Sequence, residues 1–156
     1  MISPTSSGLD LSARRVLAKL IQVNVDSRDG YRDASRQVSD VETKEFLESL
    51  ADRRAQNVRV LRNVLHSYQC DVTEHGSILA RMHRVWVSLR ATLSKEIPAI
   101  LSEAVAAEDY VRLQYIDALK RVPARSLRQL LQEQLHQLSE DAGRLQLLRD
   151  QYVNAE

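Results

Sequence analysis

The stretch that decides the fold is residues 97–120, IPAILSEAVAAEDYVRLQYIDALK. Its apolar residues recur every three or four positions, which is the period of one face of an α-helix. Pro98 suits the first turn of such a helix, and Pro123 requires the helix to end before it. Glu108 shares this face with the apolar residues, which are Ile97, Leu101, Ala104, Val111, Tyr115 and Ala118. The stretch therefore predicts a core-facing helix with one acidic residue in its apolar stripe.

The position of Glu108 allows more than one interpretation. In the first, the stripe rotates slightly along the helix and leaves Glu108 at the solvent edge beside Asp109. In the second, the carboxylate points into the core, where it must be neutralised or hydrogen-bonded. Glutamates that project inward from facing helices form carboxylate-bridged metal sites in helical bundles. The residues on the partner helices must distinguish these alternatives.

Composition narrows the class of protein. The chain has 156 residues, 22 basic and 21 acidic, with a formal net charge of +1. This balance favours neither nucleic acid nor an anionic membrane surface as a partner, and no apolar run is long enough for a membrane span. The single cysteine, Cys70, cannot form an internal disulfide, which is typical of a cytoplasmic protein. Residues 1–9 have no secretory pattern and are predicted to be a flexible leader.

Three further long helices are predicted, over residues 10–38, 42–68 and 126–152. Asp10 or Ser12 suits the N-cap of the first of these helices. Their apolar faces are predicted to share one core, which includes Leu17, Leu20, Tyr31, Leu47, Leu50, Leu61, Leu131, Leu138 and Leu145. The sequence gives no strand signal and no internal repeat, so the fold class is all-α.

The connections define the topology. Residues 39–41 are too few to do more than join two antiparallel neighbours. After a loop at residues 69–77, a shorter amphipathic helix is predicted at 78–93, in the position of a crossover. The prediction is therefore two helical hairpins joined by a crossover that carries its own short helix. This is a ferritin-like four-helix bundle, and residues 10–153 are predicted to form it as a single domain.

Several stretches resemble a bacterial ferritin-like family of unknown function. They are DGYRDASRQVSDVETKEFLESLADRRAQ, GSILARMHRVWVSLRATL and AILSEAVAAED. The more specific markers are Gly30-Tyr31-Arg32, Gly76-Ser77, His83-Arg84-x-Trp86 and Glu108-Asp109, and the match runs from about residue 19 to 150. The resemblance implies a ferritin-like bundle and a stress-associated bacterial protein, but it implies no particular reaction.

The metal ligands of such bundles are not evident in this sequence. Metal-binding ferritin-like proteins use one Glu from each of two helices and a Glu-x-x-His pair from each of the other two. On the second helix the inward positions are Arg54 and Asn57, neither of which suits a cation. The literal Glu133-x-x-His136 lies off the apolar face of the last helix, so we interpret it as accidental. We therefore expect no metal or other cofactor.

Two structural roles are predicted instead. Arg53 or Arg54 is expected to face Glu108 and neutralise it in an ion pair, which would fix the register of the helices. On the crossover helix, His83 and Trp86 are one turn apart and are interpreted as packing residues. In a less favoured interpretation these two side chains form a patch for a small molecule or a protein partner.

The sequence contains no phosphate-binding loop, nucleophile elbow or other catalytic signature. We therefore expect a non-catalytic, cytoplasmic protein that acts by association, as a homodimer or with a protein partner; the family resemblance implies that it acts in a stress response. The alternative is a di-metal carboxylate protein that oxidises or stores iron, using Asp29, Glu108, Glu140 and Asp141. A small-ligand binder that uses the crossover helix is a third hypothesis.

Overall fold

The computed structural model describes residues 8–69 and 96–155, which form four α-helices and no strand. They are α1 (Leu11–Gln37), α2 (Val41–Ser67), α3 (Ile97–Arg121) and α4 (Arg125–Asn154). The all-α class and all four long helices predicted from the sequence are confirmed, with bounds that differ by no more than a few residues. The predicted helix at 78–93, with His83 and Trp86, lies outside the described residues.

Local sequence signals explain where these helices begin and end. The Asp10 carboxylate accepts a hydrogen bond from the Ala13 backbone N–H at 2.6 Å, and Asp40 accepts one from Thr43 N–H at 2.8 Å. Each aspartate therefore satisfies one of the free N–H groups at a helix start. The hydrogen bonds made by Thr43 also hold the pKa of the Asp40 carboxyl below its usual value. Pro98 lies in the first turn of α3, as its fixed φ favours.

Contacts between side chains give the directions of the helices. Tyr31 of α1 contacts Glu108 of α3, and seven residues earlier Asn24 contacts Tyr115, so α1 and α3 are antiparallel. The links at residues 38–40 and 122–124 are short and make α1 and α2, and α3 and α4, antiparallel neighbours. It follows that α2 and α3 run parallel. The C-terminal end of α2 and the N-terminal end of α3 therefore lie at opposite ends of this four-helix core.

A single apolar cluster receives side chains from all four helices. The residues predicted to form the core are buried, including Leu17, Leu47, Leu61, Leu101 and Leu138. Several other apolar residues pack against the margin of this cluster and are only partly buried: Val16, Phe46, Val64, Ile97 and Leu148. Leu9, in the segment predicted to be a flexible leader, is buried against the cluster. The apolar periodicity therefore determines which faces of the helices pack together.

Candidate functional site

Glu108 lies at the centre of the four-helix core and is fully buried. Its neighbours one turn away on α3, Ala104 and Val111, are also fully buried. The interpretation that places Glu108 at the solvent edge is therefore wrong, because α3 keeps the predicted stripe buried from Leu101 to Ala118. A buried carboxylate requires a compensating charge or hydrogen bonds from other helices.

Arg54 of α2 supplies the compensating charge. Its Nη2 donates to Glu108 Oε1 at 2.5 Å and to Asp141 Oδ2 of α4 at 3.3 Å. Its Nη1 donates to the same Asp141 oxygen at 3.4 Å. All three side chains are fully buried. The guanidinium thus bridges two carboxylates from two other helices, in the middle of the core.

The other carboxylate oxygen of Asp141, Oδ1, has two further hydrogen-bond partners. Arg53 Nη1 donates to Asp141 Oδ1, and Gln137 Nε2 donates to the same oxygen at 3.3 Å. The Arg53 side chain is 35% exposed, so it extends from the surface to the buried carboxylate. With Arg53, Arg54, Glu108 and Asp141 all ionised, the network has two positive and two negative charges. This neutrality reduces the electrostatic cost of burying it.

Tyr31 connects the network to α1. Its hydroxyl donates to Glu108 Oε2, and the Arg54 guanidinium carbon lies 5.9 Å from the centre of its ring. Burial, together with the negative charge of Glu108, raises the pKa of Tyr31 well above its ordinary value. Burial alone would lower the pKa of Arg54, but the charge of Glu108 raises it above the ordinary value. Tyr31 therefore remains a neutral donor and Arg54 remains a cation at physiological pH.

A second, uncharged polar layer lies next to this network. Asn24 Nδ2 donates to the Leu20 carbonyl and to the Tyr115 hydroxyl, each at 2.8 Å. The Tyr115 hydroxyl donates to Gln134 Oε1 at 2.8 Å, and Asn57 Nδ2 donates to Asn24 Oδ1 at 3.2 Å. Burial also raises the pKa of Tyr115, so it too remains protonated. Together the two layers connect all four helices through directional contacts.

The structure brings together only some of the residues considered as metal ligands. Glu108 and Asp141 approach the same guanidinium. The side chains of Asp29 and Glu140 are 50% and 57% exposed and pair with surface partners, Arg28 at 2.8 Å and His136 at 3.3 Å. Over residues 8–69 and 96–155, no three His, Cys, Asp or Glu side chains form a group that could hold a metal ion.

These residues do not fit a di-metal centre of the kind found in metal-binding ferritin-like proteins. Its bridging carboxylates must share cations, whereas Glu108 and Asp141 already share the guanidinium of Arg54. Arginine stays protonated in proteins, so Arg54 would repel a metal ion bound to the same carboxylates. The exposed Glu133 and His136, although spaced like a ligand pair, do not face the core.

Two members of the network were not assigned to it from the sequence. The sequence pattern offers Asp141 only as a metal ligand and Tyr31 only as part of an apolar face. The spacing of Asp141 from Leu138 and Leu145, three and four residues away, places it on the buried face of α4 and could have identified it. The pairing of Tyr31 with Glu108 has no local signal, because the two residues are 77 positions apart.

The four helices and their central ion pairs define an all-α protein with a charged centre in its core. The chain belongs to the family described as Domain of unknown function (DUF2383), whose sequence profile matches residues 12–121. The match covers α1 from its second residue, and all of α2 and α3, so it includes Tyr31, Arg54 and Glu108, but it ends before α4. No curated protein matches the chain. None of the helices described is long and apolar enough to cross a membrane.

The hydroxyl of Tyr31 gives a direct test of the network. A hydrogen bond to a charged group contributes about 1.5–3 kcal/mol to stability. We therefore expect Tyr31→Phe to lower the free energy of unfolding by about that amount at neutral pH. Urea denaturation followed by circular dichroism measures this change. A loss below about 0.5 kcal/mol, the usual range for a surface substitution, would show that the hydroxyl does not stabilise Glu108.

The raised pKa of Tyr31 predicts that the protein loses stability at alkaline pH. Because its pKa is raised in the folded protein, the folded state keeps a proton that the unfolded chain loses above about pH 10. The contribution of Tyr31 is therefore complete below about pH 10 and is lost as the pH rises further. We expect the stability difference between wild type and Tyr31→Phe to shrink by up to about 1.4 kcal/mol per pH unit above that point. A difference that stays constant into this alkaline range would contradict the prediction.

Proposed function

We propose that this chain is a ferritin-like, non-catalytic helical protein in which an arginine side chain replaces the metal ions of metal-binding ferritin-like proteins. The observation that carries the proposal is the buried guanidinium of Arg54, bonded to both Glu108 and Asp141. Metal-binding proteins of that class hold their ions between inward carboxylates of the four helices. Here a fixed cation from α2 neutralises the inward carboxylates of α3 and α4.

The topology supports the ferritin-like part of the proposal. Ferritin-like folds have four helices in two antiparallel pairs, with one long crossover connection. In this chain α2 and α3 are parallel, and the segment between Ser67 and Ile97 is long enough for such a crossover. The resemblance of the sequence to a bacterial ferritin-like family points in the same direction. The proposed role in a bacterial stress response depends on that resemblance alone.

The proposal predicts the metal content of the purified protein. We expect less than stoichiometric iron or manganese by elemental analysis after aerobic purification, and no ferroxidase activity after incubation with ferrous iron. The physical reason is that Arg54 already neutralises the two inward carboxylates. About two metal ions per chain, together with ferroxidase activity that is lost in Glu108→Ala, would contradict the proposal. Asp109→Ala is the matched control, because it removes a half-exposed carboxylate next to Glu108 on α3 that neither function uses.

The same result would decide the alternative function, a di-metal carboxylate protein that uses Asp29, Glu108, Glu140 and Asp141. This alternative has less support, because the side chains of Asp29 and Glu140 are half exposed and paired with surface residues. Metal bound at the surface would be unaffected by Glu108→Ala. Metal bound at the centre of the core would be lost.

We further propose that the protein acts by association in the cytoplasm, with a second copy of this chain as the partner. The near-neutral charge of the chain offers no obstacle to self-association. Leu113 and Ile116 lie one turn apart on the outer face of α3, and they are 60% and 41% exposed. Exposed apolar residues that adjoin each other are a feature of protein interfaces. The cytoplasmic location is proposed because the sequence has a single cysteine.

Analytical ultracentrifugation of the full chain tests the association. We expect a concentration-dependent dimer, and we expect Leu113→Glu to weaken it at least tenfold because a charge would be buried at the contact. Leu147→Glu, at an exposed leucine on α4, is the matched control and should leave the dimer unchanged. A monomer at all concentrations would contradict self-association. Equal effects of the two substitutions would contradict the location on α3.

A further inference from the structure

Two polar atoms in the four-helix core have no hydrogen-bond partner among the residues described: the Ser27 hydroxyl oxygen and the Arg54 Nε. Both side chains are fully buried. Buried polar atoms in folded proteins are nearly always bonded to protein or to an ordered water molecule. Each of these two atoms is therefore expected to have a hydrogen-bond partner other than the described residues.

The hydroxyl of Ser27 differs in its hydrogen bonding from those of two other helical serines, Ser35 of α1 and Ser139 of α4. Ser35 donates to the Arg32 carbonyl at 2.8 Å, and Ser139 donates to the Leu135 carbonyl at 2.9 Å. This bond to the preceding turn is the usual way in which a helical serine satisfies its hydroxyl. The hydroxyl of Ser27 does not make it, so it is available to a group in the core.

The register of α1 against α2 places the two unpaired atoms at one level. Asn57 of α2 bonds to Asn24 of α1, and three residues earlier on α2 the Arg54 guanidinium lies over the Tyr31 ring. Because the two helices are antiparallel, Ser27 lies level with Arg54, between Asn24 and Tyr31 on the inward face of α1. The register thus brings the two residues to the same level on neighbouring helices, with both side chains buried in the core.

We propose that Ser27 and Arg54 form an internal binding site for one water molecule. The water oxygen accepts the Nε proton of Arg54, and the Ser27 hydroxyl exchanges a hydrogen bond with the same molecule. A cation is disfavoured here by the charge of Arg54, and an anion is disfavoured by Glu108 and Asp141, which already neutralise it. A neutral molecule that both donates and accepts satisfies both atoms, and water is the smallest one.

The proposed water extends the ionic network rather than opening it to solvent. It would complete the hydrogen bonding of the Arg54 Nε and so hold the plane of the guanidinium relative to the carboxylates of Glu108 and Asp141. It would also join the charged layer to α1 through Ser27, next to the contact made by Tyr31.

Crystal structures of the full chain at a resolution that shows ordered water test this site. The variants Ser27→Thr and Ser27→Val form a matched pair, because they have nearly the same shape and differ by one hydroxyl. We expect a density peak about 2.7–3.2 Å from both Ser27 Oγ and Arg54 Nε in the wild type. The peak should persist in Ser27→Thr and be lost in Ser27→Val.

Three results would overturn the proposal. One is a wild-type structure in which the Ser27 hydroxyl bonds to a backbone carbonyl and no water lies against Arg54 Nε. The second is a water that contacts only one of the two atoms. The third is a peak that remains unchanged in Ser27→Val. The wild-type structure alone decides the first two, so the test does not depend on the folding of the variants.

Discussion

Arg54→Ala is expected to lower the free energy of unfolding by about 3–5 kcal/mol, the range observed when one partner of a buried ion pair is removed. The substitution would leave Glu108 and Asp141 fully buried without the cation that lies between them. Arg53 cannot replace it fully, because it reaches only the outer oxygen of Asp141. Urea denaturation at neutral pH measures the loss. Arg59→Ala, which removes an exposed arginine from the same helix, is the control and should change stability by less than about 0.5 kcal/mol.

A combined variant separates two contributions to the free energy of unfolding: the destabilisation by an unpaired buried charge and the net stabilisation by the ion pairs. In Arg54→Met, Glu108→Gln, Asp141→Asn, all three buried charges are removed together. Replacement of a whole buried ion pair is often neutral or stabilising, because the desolvation cost disappears with the charges. We therefore expect the triple variant to be much more stable than Arg54→Ala. Strictly additive losses would mean that these groups do not interact.

Leu101→Ala is expected to cost about 2–5 kcal/mol, because it opens a cavity in the fully buried part of α3. Leu147→Ala on α4 is the matched control, since its side chain is 66% exposed and lies outside the proposed dimer contact. We expect the control to change stability by less than about 0.5 kcal/mol. Thermal and urea unfolding of the two variants measure the difference. Equal effects would mean that α3 does not present the predicted face to the core.

The helices and their buried faces could be predicted because the signals are local. Apolar residues recur at helical spacing, Asp10 supplies an N-cap, and Pro98 and Pro123 bracket α3. Each signal requires only a few adjacent residues. The crossover predicted between the second and third long helices agrees with the parallel arrangement of α2 and α3.

The central ion pairs could be predicted only in part. Arg53 and Arg54 are adjacent, and Glu140 and Asp141 are adjacent, so in each pair a rotation of about 100° decides which side chain points inward. The sequence pattern does not determine that rotation to one residue. The partners are also distant along the chain: Arg54 is 54 residues from Glu108 and 87 from Asp141. Only the packed helices bring these groups together.

The function is harder to predict from the sequence than the fold for a further reason. A ferritin-like resemblance implies a shape and a set of positions that hold metal ligands in other proteins. What a chain does with those positions depends on the side chains that occupy them. Here position 54 holds an arginine that neutralises Glu108 and Asp141, and apolar residues pack around it. Fold-level resemblance therefore cannot by itself establish a reaction.

The central claim is that a guanidinium replaces the metal ions in the core of this protein. The most direct measurement is a crystal structure of the full chain grown with ferrous iron or manganese, with anomalous diffraction recorded at the absorption edge of that metal. We predict no anomalous peak between Glu108 and Asp141, and electron density for Arg54 bonded to both carboxylates. An anomalous peak within about 2.0–2.3 Å of these carboxylate oxygens, with Arg54 displaced from them, would contradict the account.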